Sequence, residues 1–245
     1  MKNIAILFVL ALAIISCSEK QNPQKESEEV TMLKEKIAKF VPVEITYDEA
    51  LLTDREKVVL EKLYRASKII DELFLEQVYI ENYQIKSDLI SKTANKSILE
   101  REPELKPQLE LFNIMFGPFD RLEDNKPFIG KNTKPLGANF YPVDMSKEEF
   151  EKWIKDNPSD EKAFTSEFTI IRRDNGTLVA IPYSEYFKDK LTAASNLLKE
   201  AAEYSDNPSL KKYLLSRANA FLSNDYYQSD MDWMDLKDNN IEVVI

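Results

Sequence analysis

Residues 112–144 read FNIMFGPFDRLEDNKPFIGKNTKPLGANFYPVD. The stretch holds Gly117, Gly130 and Gly137, three of the four glycines in the chain, and Pro118, Pro127, Pro135 and Pro142, four of its eleven prolines. Neither a helical nor a strand period survives here for more than a few residues, so the spacing predicts one long ordered loop. Loops of this length are usually functional or disordered. Phe112, Phe116, Phe119, Phe128, Phe140 and Tyr141 give this one its own apolar side chains to bury, which argues for order.

On both sides of the loop the periods are helical. Thr53-Asp54-Arg55-Glu56 is a capping box, and the helix it opens carries Val59, Leu63, Ala66, Ile70, Leu73 and Phe74 at three- and four-residue steps, running past Tyr79. Pro103 and Pro107 suit helix starts, so Gln108 to Phe116 reads as a short helix stopped by Gly117-Pro118. Downstream, Ser146 to Glu149 is a second capping box, opening a helix that ends before Pro158. Asn175-Gly176 between Phe168–Arg172 and Leu178–Ile181 is the signature of a β-hairpin, because both central residues of a type I′ turn need positive φ. The same residues with Thr177 match a glycosylation sequon, which the turn explains better. Two apolar stripes follow, Phe187-Leu191-Ala194-Leu198-Ala201 and Leu210-Leu214-Ala218-Phe221. Asp206-Asn207-Pro208 separates them and predicts an antiparallel helix pair. The last five residues, Ile241 to Ile245, have the composition of a strand.

At the other end, Lys2 precedes twelve apolar residues, Ile4 to Ile15. Twelve residues of helix cover about 18 Å, well short of a hydrocarbon core of about 30 Å, so they read as the h-region of a signal peptide, residues 1–16. Ile14-Ile15-Ser16-Cys17 resembles a bacterial lipobox, with Cys17 acylated; an ordinary secretory signal with an incidental cysteine is the alternative. Residues 18–31 are polar apart from one valine, so residues 17–45 are expected to form a lipidated flexible tether and residues 46–245 a mainly helical domain. Acyl chains contribute about 0.8 kcal/mol per buried methylene, enough in twos or threes to hold the protein on a membrane of the bacterial cell envelope.

Charge and composition exclude several chemistries. A net charge of −10 is a poor balance for nucleic acid, where Lys and Arg must displace counterions, and equally poor for gripping anionic lipid. The chain has no histidine, and Cys17 is its one cysteine. Zinc is thus left without a His or a free Cys ligand, and Ser-His-Asp and Cys-His mechanisms are excluded. No phosphate-cradling glycine loop occurs. Asp230, Asp232, Asp235 and Asp238 suggest a calcium loop, but counted from Asp230 the sixth position is Asp235 and the twelfth Ile241, where Gly and Glu are needed; they read as a solvated acidic face. Asp120, Glu123 and Asp124 are expected to brace the loop with Arg121 and Lys126, with an acid/base pair among them as the alternative.

Two blocks are distinctive. GPFDRLEDNKPFIG (117–130), followed by PLGANFYPVDM (135–145), is the first, and YYQSDMDWMDLKDNNIEVVI (226–245) the second. Both resemble the bacterial dipeptidyl-peptidase III-like zinc metallopeptidases, often lipoproteins more than twice as long. The resemblance covers residues 45–245. It implies a mainly α fold: a helical lobe with a long ordered central loop and a small β-hairpin, incomplete relative to the two lobes of the family. It implies zinc in the full-length family, bound by a His-Glu-x-x-Gly-His helix and a Glu-Glu helix that this sequence lacks, and peptides lying along a strand. Asp120, Arg121, Asn139, Tyr226, Tyr227, Ser229, Asp230 and Glu242 are the positions it places toward the cleft, with no catalytic, cofactor or metal residue in this chain. Val244 stands where true dipeptidyl peptidases have a tyrosine. The chain therefore reads as an N-terminal portion, truncated or split, that is membrane-anchored and not catalytic alone. Its partners would be peptides or a missing C-terminal half. A complete helical lipoprotein that binds a peptide or partner protein is the competing reading. The two differ at Ile241 to Ile245, which a portion would leave as an exposed apolar edge whose deletion scarcely changes stability.

Overall fold

The computed structural model describes residues 27–245. The signal peptide, Cys17 and the first part of the tether lie outside the described residues. Chain order begins with α1 (Glu28–Ile37), α2 (Asp54–Val78), α3 (Asn82–Ala94), α4 (Lys96–Leu99) and α5 (Leu105–Met115). The strands β1 (Phe119–Asp120) and β2 (Lys126–Pro127) come next, then α6 (Lys147–Asp156) and α7 (Glu161–Phe164). A second strand pair, β3 (Thr169–Asp174) and β4 (Thr177–Pro182), precedes α8 (Tyr183–Tyr186), α9 (Lys188–Tyr204), α10 (Pro208–Ser223) and α11 (Tyr227–Met234). The architecture is mainly helical with two small antiparallel hairpins. No helix among the described residues is long and apolar enough to cross a membrane.

The main core lies where α2, α9 and α10 meet. Val59, Leu63 and Ala66 face Leu191, Ala194, Leu198 and Ala201, and Leu210, Leu214 and Phe221 close the third side. Ala194, Ala201, Ala202 and Ala218 are almost fully buried, and small side chains let helix axes approach. The approach of α9 to α10 is close enough for Ser195 Oγ to donate to the Ala218 carbonyl at 2.7 Å inside the core. The turn between them follows its sequence: Asn207 caps α10 by accepting from the Leu210 amide at 2.9 Å, with Pro208 as first helical residue.

Around Asn175-Gly176 the hairpin forms as expected, with φ of 48° and 84°. Its two faces serve different cores, because successive strand side chains point to opposite sides. Ile170 enters the main core, while Ile171 joins Phe164 and Leu178 in a satellite cluster with Phe150 and Trp153.

Several expectations are corrected. The tether of residues 17–45 contains α1, which Ser27 caps and whose Val30 and Leu33 are buried; Leu33 packs against Leu111 and Met115 of α5. Its apolar positions straddle residue 31, so a window ending there sees only the valine. The central loop is shorter than the spacing suggests: α5 occupies its start, and Phe119↔Pro127 and Asp120↔Lys126 pair as a second hairpin. The helix α5 begins at Leu105 and ends when Phe116 turns left-handed (φ 54°). Gly117 follows at φ +149°, a conformation that favours glycine, and a Cβ there would lie a tight 3.1 Å from the Asn82 Oδ1. The helix α2 stops at Val78, because Tyr79 is extended.

The second capping box is half formed. Ser146 accepts from the Glu149 amide at 3.1 Å, but the Glu149 carboxylate is taken by Arg173, at 2.7 and 2.9 Å. Finally, Ile241 to Ile245 is not a paired strand among the described residues, and it is not wholly exposed: Ile241 is buried, and Val243 and Ile245 pack partly on the main core.

Candidate functional site

The helix α2 presents the usual problem of a helix end, carbonyls without intrahelical donors. Two asparagines answer it. Asn82 Nδ2 donates to the Leu75 carbonyl at 2.8 Å and also reaches the Phe116 carbonyl of α5 at 3.2 Å. Asn139 donates from its side chain to the Glu76 carbonyl at 2.8 Å and from its backbone to the Gln77 carbonyl at 3.0 Å. Arg172 Nη2 then holds Asn139 in place and reaches the Tyr186 hydroxyl at 2.9 Å, with its guanidinium over the Tyr186 ring. The central loop is thereby pinned to α2, β3 and α8 through one side chain.

The first hairpin is pinned from α1. Lys36 Nζ contacts Asp120 at 2.6 Å and Glu123 at 2.7 Å, and Lys39 adds a longer contact to Glu123. Burial pulls the Lys36 pKa down, but the two carboxylates outweigh it and the net direction is upward. Lys36, with help from Lys39, draws Glu123 below the ordinary carboxylate range. Asp120 and Glu123 are therefore braced by α1, and not by the side chains of Arg121 and Lys126 as the sequence suggested. Arg121 instead lies over the Phe74 ring.

A chain of rings links the loop to α11: Phe140 stacks on Tyr183, Tyr183 meets Phe168 edge-on, and Phe168 stacks on Tyr226 at 5.0 Å. Burial pushes the Tyr183 hydroxyl up to about 12 and raises Tyr226 as well. Arg217 lies against Tyr226 and binds Asp230 at 2.6 Å, and Ser229 Oγ donates to the Tyr226 carbonyl at 2.8 Å.

The structure therefore brings Tyr226, Ser229 and Asp230 together and ties Asn139 to them through the rings. Asp120 and Arg121 sit apart, joined to the rest by the end of α2. Asn139, Asp120 and Ser229 are buried and spent on internal bonds; Arg121, Tyr227, Asp230 and Glu242 are exposed. Arg172, Lys36 and Asn82 hold these positions and escaped sequence reasoning. The sequence signal for Asn82 is an amide residue just after a helix end.

At the end of the chain the geometry is open. Tyr213 Oη donates to the Ile245 carbonyl at 3.2 Å, Trp233 Nε1 donates to the Val243 carbonyl at 3.0 Å, and Asn239 Nδ2 donates to the Ile241 carbonyl. The carbonyls of Ile241, Val243 and Ile245 are thus satisfied, and the side chains of the same three residues pack on the main core. The backbone groups of Glu242 and Val244 have no hydrogen bond among the described residues. A groove of about 410 Å³ lined by Trp233, Met234, Leu236, Ile241 and Glu242 runs beside them.

A solved dipeptidyl-peptidase III from Caldithrix abyssi matches with a TM-score of 0.81 and 60% identity, over 86% of this chain and 39% of that one. A second, from Corallococcus sp. strain EGB, matches with a TM-score of 0.78 and 38% identity, over 85% of this chain and 38% of that one. The chain has the fold of part of a bacterial dipeptidyl-peptidase III. An N-terminal portion of such a protein fits the match. Among curated proteins, Nudix hydrolase 3 of Arabidopsis thaliana is 31% identical over 263 residues, 87% of this chain but 33% of that protein. No family model matches. The chain thus spans well under half the length of each relative. The residues of this dipeptidyl-peptidase III-like portion do not fit a zinc centre. The chain has no histidine, and no three Cys, Asp or Glu side chains among the described residues gather closely enough to hold a metal.

Proposed function

We propose that this chain is the helical share of a dipeptidyl-peptidase III-like peptidase, holding a peptide along the edge at Glu242 and Val244 and leaving bond cleavage to residues it does not contain. The observation that carries the reading is the open edge in a chain 60% identical to a solved dipeptidyl-peptidase III. Asp230, Tyr227, Arg121 and Glu242 are the exposed side chains assigned to the cleft, with Asn139, Asp120, Ser229 and Tyr226 holding the backbone behind them. Zinc belongs to the assembled enzyme, outside this chain. Purified residues 17–245 are expected to bind no zinc stoichiometrically and to release no dipeptides. Cleavage abolished by chelator and restored by zinc, from a preparation free of other peptidases, refutes the reading.

Acylated Cys17 anchors the protein to a membrane of the bacterial cell envelope in this proposal. The support is the Ile14-Ile15-Ser16-Cys17 run behind a twelve-residue apolar stretch. Cys17→Ala is expected to abolish acylation and leave the signal attached; normal processing with full membrane retention sinks the anchor.

One observation favours a second reading, a helical surface lipoprotein that binds a partner protein by itself. Ile241, Val243 and Ile245 pack on the chain's own core. Binding of extended peptides by residues 17–245 alone, without any complementing chain, is its test.

A further inference from the structure

Residues 41–47 read VPVEITY. They join α1 to α2 and contain no helix, turn or ladder pairing, and no hydrogen bond to them is found among the described residues. Val41, Val43, Ile45 and Tyr47 alternate with Pro42, Glu44 and Thr46, the period of a strand with one apolar and one polar face. All four apolar side chains are exposed: 80% at Val41, 76% at Val43, 92% at Ile45 and 56% at Tyr47. Single exposed apolar residues are ordinary on a protein surface, but a period-two row of β-branched and aromatic side chains is the face of a strand that packs on something. Both ends of the segment are fixed. Phe40 packs under α1 and α5, and Leu52 packs on the main core.

We propose that residues 41–47 are a docking strand whose occupant is an extended strand from the larger part of a dipeptidyl-peptidase III-like polypeptide that this chain does not contain. The inference rests on the proposed function. The occupant follows from length: the matched relatives carry more than twice this much chain, and the match runs over 39% and 38% of them. A second copy of this chain is a poorer occupant. Seven residues bury far less than the roughly 1,200 Å² of a stable interface, and each copy brings a net charge of −10. The edge in use is also set. Pro42 has no N–H, so the even-numbered edge lacks a donor, and ladder bonds run through Val43, Ile45 and Tyr47.

The test replaces the matching part of the Caldithrix abyssi dipeptidyl-peptidase III with residues 27–245 of this chain. A second arm co-expresses the two parts as separate polypeptides. Amide exchange at Val43, Ile45 and Tyr47 is expected to be fast in dilute residues 27–245 and slower by on the order of 100-fold in either assembly, with Glu44 and Thr46 less protected. Ile45→Lys leaves the unfolding midpoint of residues 27–245 unchanged and weakens the two-chain assembly by about 10- to 100-fold, the loss of one fully buried aliphatic side chain. Protection already present in the dilute chain, protection that appears only as its own concentration rises, free exchange in a soluble assembly, or no soluble assembly in either arm overturns the proposal. Zinc-dependent dipeptide release from an assembly with residues 41–47 still open overturns the docking and leaves the function standing. Protection without dipeptide release does the reverse.

Discussion

Arg172 donates through one nitrogen to both oxygens of Asn139, at 3.0 Å to the side-chain Oδ1 and 2.9 Å to the backbone carbonyl. Asn139 uses its own donors on the Glu76 and Gln77 carbonyls, so a single buried amide joins the end of α2 to the second hairpin. Both ends of that side-chain amide are engaged, and removing it orphans the Glu76 carbonyl of the helix end and takes one acceptor from Arg172, which keeps the Asn139 carbonyl and the Tyr186 hydroxyl. Asn139→Ala is therefore expected to cost about 2–3 kcal/mol in urea unfolding, with faster amide exchange at the end of α2. Tyr227→Ala, at a side chain 74% exposed, stays within about 0.5 kcal/mol. Equal effects at the two positions rule out the capping role.

Lys36 and Asp120 form the least exposed ion pair of the loop, their side chains 10% and 2% accessible. Breaking such a pair from one side leaves a buried charge, which is worse than removing both. Lys36→Met is expected to lose about 3 kcal/mol, and Lys36→Met with Asp120→Leu clearly less. An additive double variant shows that the two side chains do not depend on each other.

The same contacts set the pH profile. Lys36 lowers Glu123, and Arg173 lowers Asp144 and Glu149. Their folded forms take up protons less readily than the unfolded chain. The stability they contribute is complete above the unfolded carboxylate values near 4.5 for Glu and 3.8 for Asp, and is lost as pH falls through the folded values. For Lys36, raised in the folded state, the contribution is complete below 10.5 and is lost as pH rises through the folded value. Urea midpoints should form a plateau with an acid limb and an alkaline limb. Arg173→Gln shortens the acid limb and Lys36→Met removes part of the alkaline one. Because Glu123, Asp144 and Glu149 lie at the surface, added salt flattens the acid limb first. An acid limb untouched by Arg173→Gln sinks this assignment.

Local signals that carry their own geometry were readable in the sequence. Thr53 and Glu56 cap α2 reciprocally because the residue pair makes that bond by itself, and Asn175-Gly176 turns because both tolerate positive φ. What escaped was decided at long range. The helix α1 is stable through Leu33 meeting Leu111, 78 positions away in sequence. Glu149 gives its carboxylate chiefly to Arg173 of the hairpin, and Asn139 caps a helix that ends some sixty residues earlier. Of the candidate site, the aromatic and carboxylate residues were visible by type, while Lys36 and Arg172, which hold them, have no local signature. The resemblance between blocks reached the dipeptidyl-peptidase III fold because unbroken runs of unusual residues survive where periodicity fails.

The end of the chain gives the sharpest contrast between neighbours. Ile241 is buried with Val59 and Leu210 in the main core, and Val243 and Ile245 lean on the same surface. Val244, one residue from each of the latter, is 74% exposed. Truncating a buried Ile removes its transfer free energy and leaves a cavity, so Ile241→Ala is expected to cost about 2–4 kcal/mol, against at most about 0.5 kcal/mol for Val244→Ala. Deleting residues 241–245 removes all three inward side chains and the bonds to Tyr213 and Trp233, and should cost more than Ile241→Ala alone. This reverses the expectation of a fully exposed strand, for which deletion would be nearly neutral. The open edge stands all the same, because Glu242 and Val244 are exposed and their backbone groups make no hydrogen bond among the described residues. Urea unfolding of the three variants decides: a neutral deletion would mean the segment does not hold to its own core, and the open edge would lose its basis.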